Sequence, residues 1–139
     1  MGMDHITEKE FAYSLLPKEL NNAEYNKRLN ESRIIEAPDL EVTRGDAARI
    51  LHLFVKNVLG IKDIEDITPA EVLRDLYDCR VCVNHIAQVY LRGLMQGVKI
   101  PDVGKGFEIF DSKGLLSRQE ATEIADKVRQ LWLNVKNSI

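Results

Sequence analysis

Apolar residues recur every three or four positions along most of this chain, the spacing that places them on one face of an α-helix. Pro17, Gly60 and Gly97 stand where the stripes end, as helix-ending residues commonly do. The stripes are Phe11, Leu15 and Leu16; Ala47, Ile50, Leu51, Phe54, Val55, Val58 and Leu59; Val72, Leu73, Leu76, Tyr77, Val81, Cys82, His85, Ile86, Val89, Tyr90 and Leu94; and Ala121, Ile124, Ala125, Val128, Leu131, Trp132 and Val135. A polar helix is expected over 18–32, and the third stripe is expected to kink near Asp78. No segment alternates convincingly as a strand does, so the pattern predicts an all-α domain of five or six helices.

Four predicted helix starts carry a hydroxyl residue followed three positions later by a carboxylate. In such a capping box the two side chains satisfy backbone N–H groups at the start of the helix. Pro69 strengthens the third start, because proline is favoured at the first helical position. The pairs are Thr7 with Glu10, Thr43 with Asp46, Thr68 with Glu71, and Ser117 with Glu120. Helix capping alone can explain these side chains.

Two of these starts share a longer motif, in 42–48 and again in 116–122. It consists of an apolar residue, a hydroxyl residue, an arginine, a free position, a carboxylate and an alanine, and an apolar-periodic helix follows each copy. The arginines, Arg44 and Arg118, face the positive end of a helix dipole, a placement that costs about 0.3–1 kcal/mol. One explanation is a structural carboxylate partner on a neighbouring loop. The other is an anionic ligand, since a helix N-terminus with an arginine is a ready anion site.

The residues around the two motifs resemble the S-layer homology (SLH) module. In that pattern two glycines enclose an apolar pair, and a loop with phenylalanine and proline leads to apolar-Thr-Arg-x-Glu. The matching residues over about 25–135 are Ile34, Ile35, Pro38 and Val42-Thr43-Arg44-Gly45-Asp46 in the first copy, and Ile86, Val89, Gly93-Leu94-Met95-Gln96-Gly97, Phe110 and Leu116-Ser117-Arg118-Gln119-Glu120 in the second. The departures are Arg33, Glu36, Val81 and Ser112, a longer 97–110 loop, and two visible copies where three are typical.

The resemblance implies a non-catalytic module that anchors a protein to an anionic, often pyruvylated, cell-wall polysaccharide through the Thr-Arg-x-Glu region. Arg44 and Arg118 would anchor the ligand's charge, and the loops around 97–116 would form the groove. The site residues carried over are Thr43, Arg44, Asp46, Ser117, Arg118 and Glu120. The implied organisation is one domain, 1–139, with an N-terminal helical segment (1–35) and two SLH-like units (36–139).

Composition and charge limit the kinds of molecule that this chain is expected to bind. At 139 residues, with 45% hydrophobic and 29% charged residues, the chain fits one folded globular domain. The net charge of −3 argues against nucleic-acid binding, and no apolar run approaches the length of a membrane span. The polar start, 1–8, shows no signal peptide. We therefore expect the cytoplasm if Met1 or Met3 is the native start, and the cell wall if a signal peptide has been removed.

Metal binding and catalysis find little support in the sequence. Cys79, Cys82 and His85, with His52, suggest a zinc site, but the first three lie at i, i+3 and i+6 of a predicted helix, which spreads them around its axis. That same placement suits a disulfide poorly, and a small core role for the cysteines is favoured. No nucleophile elbow, P-loop or dinucleotide motif occurs. We expect no enzyme, metal or cofactor.

A second class of function stays open: an intracellular helical domain that binds another protein. The orientation of Arg44 and Arg118 separates the two classes. Arginines that point into an open groove favour a ligand, whereas arginines buried against carboxylates are structural.

Overall fold

The computed structural model describes residues 5–16, 23–100 and 107–137, and within them the chain is mostly helical, as predicted. The five α-helices of this part are α1 (Glu8–Ser14), α2 (Ala23–Glu31), α3 (Arg44–Leu53), α4 (Val83–Leu91) and α5 (Arg118–Asn137). A π-helical turn, Phe54–Val58, extends α3. The polar helix predicted over 18–32 is α2, and its residues 18–22 lie outside the described residues.

Three short segments, 5–7, 41–43 and 115–117, meet in the middle of the fold; we call them the junction segments. Each leads directly into a helix, α1, α3 or α5. Isolated antiparallel bridges join them as His5 with Ser117, Thr7 with Glu41, and Thr43 with Leu115. In every bridge, the last residue of one segment, which carries the hydroxyl, pairs with the first residue of the next segment in the cycle. The three segments therefore form a closed cycle with approximate threefold symmetry.

The backbone hydrogen bonds repeat from one junction to the next. The first residue of α1 donates its N–H to the Leu40 carbonyl (3.0 Å), and the first residue of α3 donates to the Gly114 carbonyl (2.7 Å). The second residues, Lys9 and Gly45, donate in the same way to Pro38 (3.2 Å) and Ser112 (2.8 Å). The apolar residue before each hydroxyl is buried, namely Ile6, Val42 and Leu116. Burial and backbone pairing thus fix all three helix starts around one centre.

The core lies among α1, α3, α4 and α5, with α3 packed most extensively against α4. Its small residues, including Ala47 and Ala48, allow close packing of the neighbouring helices. The buried apolar side chains of these helices are Phe11 and Ala12; Ala47, Ala48, Ile50 and Leu51; Ile86, Ala87 and Val89; and Ala121, Ile124, Val128 and Trp132. These are the faces that the apolar spacing predicts.

The prediction that the chain has no strand is wrong. Strands β1 (Val98–Ile100) and β2 (Phe107–Ile109) form an antiparallel pair with Val98 opposite Ile109. Each strand has three residues, too few to display an alternating pattern. The carbonyl of Glu108 in β2 also accepts the N–H of Arg74 (2.9 Å), which ties the pair to the segment before α4.

The helix predicted from Thr68 is also wrong, because 68–82 contains three separate 3-10 turns: Thr68–Val72, Leu76–Asp78 and Arg80–Cys82. The Thr68 hydroxyl bonds to Asp66, as does the Thr68 N–H (3.1 Å), so it does not cap a helix. Cys79 has an extended backbone (φ −120°, ψ 102°), which interrupts the helix. Regular α-helix begins at Val83.

The other three capping predictions agree with the structure to different degrees. Thr7 and Glu10 form a complete capping box. Thr43 accepts the N–H of Asp46 (3.1 Å), and Ser117 accepts the N–H of Glu120 (3.1 Å). The Glu120 carboxylate bonds to Arg44 instead.

Candidate functional site

Arg44 is a buried arginine in the first turn of α3, with 6% of its surface exposed. Its Nε donates to the Phe110 carbonyl (2.9 Å), one terminal nitrogen donates to the Gln96 carbonyl (2.6 Å), and the other bonds to the Glu120 carboxylate. The guanidinium also lies 4.9 Å from the centre of the Phe110 ring. The protein itself therefore satisfies this arginine, as the structural explanation of the motif requires.

Arg118 occupies the equivalent position in α5 but is 43% exposed at its side chain. One of its terminal nitrogens lies 3.4 Å from a carboxylate oxygen of Glu10 in α1. In both pairs the arginine is the first residue of its helix, and the carboxylate is the third residue of the helix that follows the next junction segment in the cycle. Arg44 of α3 pairs with α5, and Arg118 of α5 pairs with α1. The two motif arginines thus follow the same cyclic order as the backbone bridges.

At the third junction, the first residue of α1 is not an arginine but the buried Glu8. The residue that would pair with it in the same cyclic order is Asp46, the third residue of α3, which is also a carboxylate. Arg49 of α3 supplies the positive charge between the two. Arg49 lies 3.2 Å from Glu8 and 3.9 Å from Asp46. Glu8 also accepts the N–H groups of Glu36 (3.1 Å) and Ala37 (3.2 Å). Ion pairs therefore occur at all three junctions, and we call them the ion-pair ring.

Sequence reasoning missed two members of the ion-pair ring, Glu8 and Arg49. The Thr7–Glu10 capping box had the spacing of the repeated motif, but the acidic Glu8 in place of an arginine concealed its equivalence. Arg49 lies inside the apolar pattern of α3 and has no counterpart in the motif. The bridges between junction segments, which are long-range contacts, are what bring these residues together.

A groove of about 340 Å³ lies beside the Arg44–Glu120 pair. Three of the six predicted site residues line it, Arg44, Ser117 and Glu120, whereas Thr43, Asp46 and Arg118 do not. The remaining lining includes Gln119, Glu123, Ile124 and Lys127 of α5 and residues 94–98. Beyond the Arg44–Glu120 pair, the charged side chains of the lining are Glu123 and Lys127. The groove therefore has a balanced charge and many hydrogen-bonding groups.

A second groove, of about 490 Å³, shares residues 95–97 with the first. Tyr90 and Glu108 lie in its wall, with the tyrosine hydroxyl 3.3 Å from the carboxylate. Burial and this carboxylate raise the pKa of Tyr90, so the hydroxyl stays protonated. Val72 and Leu91 add apolar surface. The two grooves thus share the segment 95–97 and offer mixed polar and apolar walls.

The two helical histidines lie in contact. His52 Nδ1 is 2.8 Å from His85 Nδ1, and His52 Nε2 is 2.7 Å from Asp63. When both rings are neutral, one proton arrangement satisfies these contacts: His85 donates to His52, and His52 donates to Asp63. The Asp63 carboxylate also accepts an N–H of Asn84 (3.1 Å). This chain of contacts joins α3, α4 and the loop between Gly60 and Thr68.

The ionisation of this cluster follows from its burial. Burial, and after it the electrostatic effect of His52 and Arg49, lowers the pKa of His85 to about 4. Burial alone would raise the pKa of Asp63, but hydrogen bonds from His52 and Asn84 outweigh it and lower that pKa. Near neutral pH the cluster is therefore a neutral His85 next to His52 and an ionised Asp63.

Cys79 and Cys82 form a disulfide, which corrects the prediction that their spacing suits one poorly. That prediction assumed a continuous helix, whereas the turn at 79–82 brings the two Cα atoms to 5.2 Å, inside the usual range for a disulfide. Within the described residues, no group of three or more histidine, cysteine or acidic side chains is placed to hold a metal ion. In this oxidised state the cysteines offer no thiolate to zinc.

Comparison with family models, curated proteins and solved structures finds no match to this chain. Over the part of the chain that the structure describes, no helix is long and apolar enough to cross a membrane. The functional interpretation therefore depends on the geometry described above.

Proposed function

We propose that this chain is a non-catalytic module that binds an anionic carbohydrate of the cell-wall type in the groove beside Arg44 and Glu120. The observation that carries the proposal is the ion-pair ring: a cyclic set of helix starts whose Arg44–Glu120 pair forms one wall of an open groove. The resemblance to SLH modules implies three motif copies, and the sequence displays two. The junction segment 5–7 with α1 takes the third place, which supports an SLH-like arrangement completed within one chain.

The first turn of α5 provides the chemistry for an anionic group. Ser117 and Gln119 of this turn line the groove, Arg44 offsets the charge of Glu120, and the positive end of the dipole of this long helix favours an anion there. Lys127 adds a positive charge two turns along the same wall. A carboxylate or phosphate on a sugar would bind near these groups, while amide and carboxylate side chains would bind the sugar hydroxyls.

Arg44 then has a positioning role rather than direct contact with the ligand's charge. Its donors are directed at Phe110, Gln96 and Glu120, so it fixes two loops and α5 around the groove. Residues 95–97 line both grooves, which suits an elongated ligand that contacts both, such as several linked sugars.

A test is co-sedimentation of the protein with Gram-positive cell-wall sacculi, intact or stripped of secondary polymers. We expect binding to intact sacculi and its loss on stripping. Lys127→Ala should weaken binding about tenfold or more, the effect of removing one charge-assisted contact. Lys27→Ala is the matched control, because Lys27 is an exposed helical lysine outside the groove. Absence of binding to intact sacculi, or equal weakening by both variants, contradicts the proposal.

A second candidate function, a helical domain that binds another protein, is favoured by one observation. Val72, Tyr77 and Val81 of the segment before α4 are 57%, 58% and 84% exposed. Three large apolar side chains within ten residues are more than the isolated exposure usual on a surface. This function predicts that Tyr77→Ser and Val81→Ser, at two positions outside both grooves, abolish capture of the partner while Lys127→Ala does not.

A further inference from the structure

The disulfide between Cys79 and Cys82 encloses the two residues Arg80 and Val81 in a tight turn. Both cysteines are half-buried, and Val81 between them is almost fully exposed. A thiol from solution can therefore approach this part of the surface. Neither cysteine lines either groove, so the disulfide is not part of the proposed ligand site.

The two sulfur atoms have different electrostatic surroundings. Cys82 directly precedes α4, and in the described structure no side chain caps this helix start, whereas hydroxyls cap α1, α3 and α5. A thiolate at Cys82 would face the positive end of the helix dipole, which lowers a thiol pKa. Cys79 instead follows Asp78, whose negative charge disfavours a thiolate.

The neighbouring residues suit a thiol-bearing partner. Arg80 is exposed between the cysteines and attracts an incoming thiolate. Tyr77 and Val81 provide exposed apolar surface on the same segment. His85, one turn into α4, is bonded to His52 and carries no charge near neutral pH, so the helix start supplies the stabilisation.

We propose that the Cys79–Cys82 disulfide is a redox-active site that oxidises thiols by exchange, with Cys82 at the start of α4 as the leaving thiolate. An external thiolate attacks the sulfur of Cys79, the disulfide bond breaks, and its electron pair stays on Cys82. A second external thiolate then attacks the external sulfur of the mixed disulfide and releases Cys79, which takes a proton from water. Two thiols become one disulfide, and the two electrons they lose reduce the cysteine pair.

The first experiment measures the thiols of single-cysteine variants. Cys79→Ser leaves Cys82, and Cys82→Ser leaves Cys79, so the pH dependence of alkylation by iodoacetamide reports each pKa separately. We expect the pKa of Cys82 to lie at least about one unit below the ordinary value of about 8.5, and that of Cys79 at or above it. Circular dichroism of both variants establishes that α4 is intact. Similar pKa values near 8.5 for both thiols overturn the proposal.

The second experiment follows the unaltered protein in buffers of reduced and oxidised glutathione, with mass spectrometry after alkylation. We expect reversible reduction with helicity retained, and a glutathione adduct on Cys79 in the Cys82→Ser variant. A disulfide that stays oxidised in millimolar dithiothreitol, or one whose reduction unfolds the protein, is a structural disulfide and overturns the proposal.

A third arm distinguishes the two sources of thiol. A cysteine peptide with apolar neighbours is compared with glutathione as the reductant. A rate about tenfold higher for the peptide, lost in Val81→Ser, assigns the site to polypeptide thiols. Equal rates in a protein that passes the first two tests assign it to small thiols.

Discussion

Arg44 and Arg118 occupy the same place in a repeated motif, yet their surroundings give them different roles. Arg44 is enclosed by two carbonyls, a carboxylate and an aromatic ring, whereas Arg118 is partly exposed and pairs with the exposed Glu10. Sequence alone could identify both as unusual cations at helix starts. It could not separate them, because burial is decided by residues far along the chain, such as Phe110 and Gln96.

The difference predicts unequal costs of removal. Arg44→Ala leaves Glu120 and two carbonyls without their donor, and we expect a loss of about 3 kcal/mol in the free energy of unfolding. Arg118→Ala should cost about 0–1 kcal/mol, because an exposed pair contributes little. Urea denaturation of the two variants measures both values. Equal losses would show that Arg44 is not the structural centre of its junction.

The histidine cluster predicts a pH dependence of stability. The folded pKa of His85, about 4, lies below its ordinary value of 6.5. Between these values the unfolded chain binds a proton that the folded chain excludes, so stability falls as pH drops from 6.5 towards 4. The slope should stay below about 1.4 kcal/mol per pH unit, since His85 is partly exposed. The side chains that act electrostatically on His85 are His52, Arg49 and Lys56, which lower its pKa, and Asp63, which raises it.

The measurement is urea denaturation at several pH values from 7 to 4, with His85→Gln as the comparison. We expect the slope between pH 6.5 and 4 to be smaller in the variant. Below this range the lowered pKa of Asp63 adds a further loss of stability in both proteins, because protonation removes its hydrogen bonds. Parallel pH profiles through the upper range would mean that His85 is not the group responsible.

At the scale of elements, the segment before α4 shows where local pattern and tertiary structure disagree. Its apolar spacing is that of a helix, but the Thr68 hydroxyl expected to cap the helix start bonds to Asp66 instead. At the other end, a turn closed by the Cys79–Cys82 disulfide interrupts the helix. Asp75 lies between these points and accepts the N–H groups of Phe110 (2.7 Å) and Asp111 (2.8 Å). The segment therefore positions the carbonyl that Arg44 binds, a role that no helical periodicity encodes.

This contact predicts that Asp75→Ala destabilises the protein by about 2 kcal/mol, the range for hydrogen bonds to a charged group. Asp111 has a positive φ of 61°, and the Asp75 carboxylate helps to maintain it. Asp78→Ala is the matched control, an exposed acid of the same segment. A midpoint of thermal unfolding that changes equally in both variants would exclude this role for Asp75.

At the scale of the whole molecule, the sequence predicted the helical class, three capped helix starts and the apolar faces of the core. It also predicted an N-terminal segment and two repeated units, and the structure adds bridges that link the three junction segments. Segment 5–7 bridges to both other junctions. The cycle could not be predicted because Glu8 breaks the motif and because three-residue pairings leave no sequence pattern.

The cycle predicts that removal of residues 1–16 prevents cooperative folding, although the two recognised motif copies remain. The deletion removes Ile6, whose carbonyl accepts the N–H of the buried Val42 (2.8 Å), and leaves Arg118 without Glu10. Far-ultraviolet circular dichroism and urea denaturation of the truncated chain measure the loss. A synthetic peptide of residues 1–16 should restore helicity when added. Cooperative unfolding of the truncated chain alone would contradict a threefold junction.

The most direct test of the binding proposal is nuclear magnetic resonance titration of the protein with a soluble pyruvylated fragment of wall polysaccharide. The account predicts saturable shifts in the amide signals of residues 95–98, of the first three turns of α5 and of the second-groove residues Tyr90 and Glu108, with small changes elsewhere. Lys127→Ala should weaken them and Lys27→Ala should not. Absence of shifts, or shifts centred on 72–82, would contradict the assignment of the groove beside Arg44 as the ligand site.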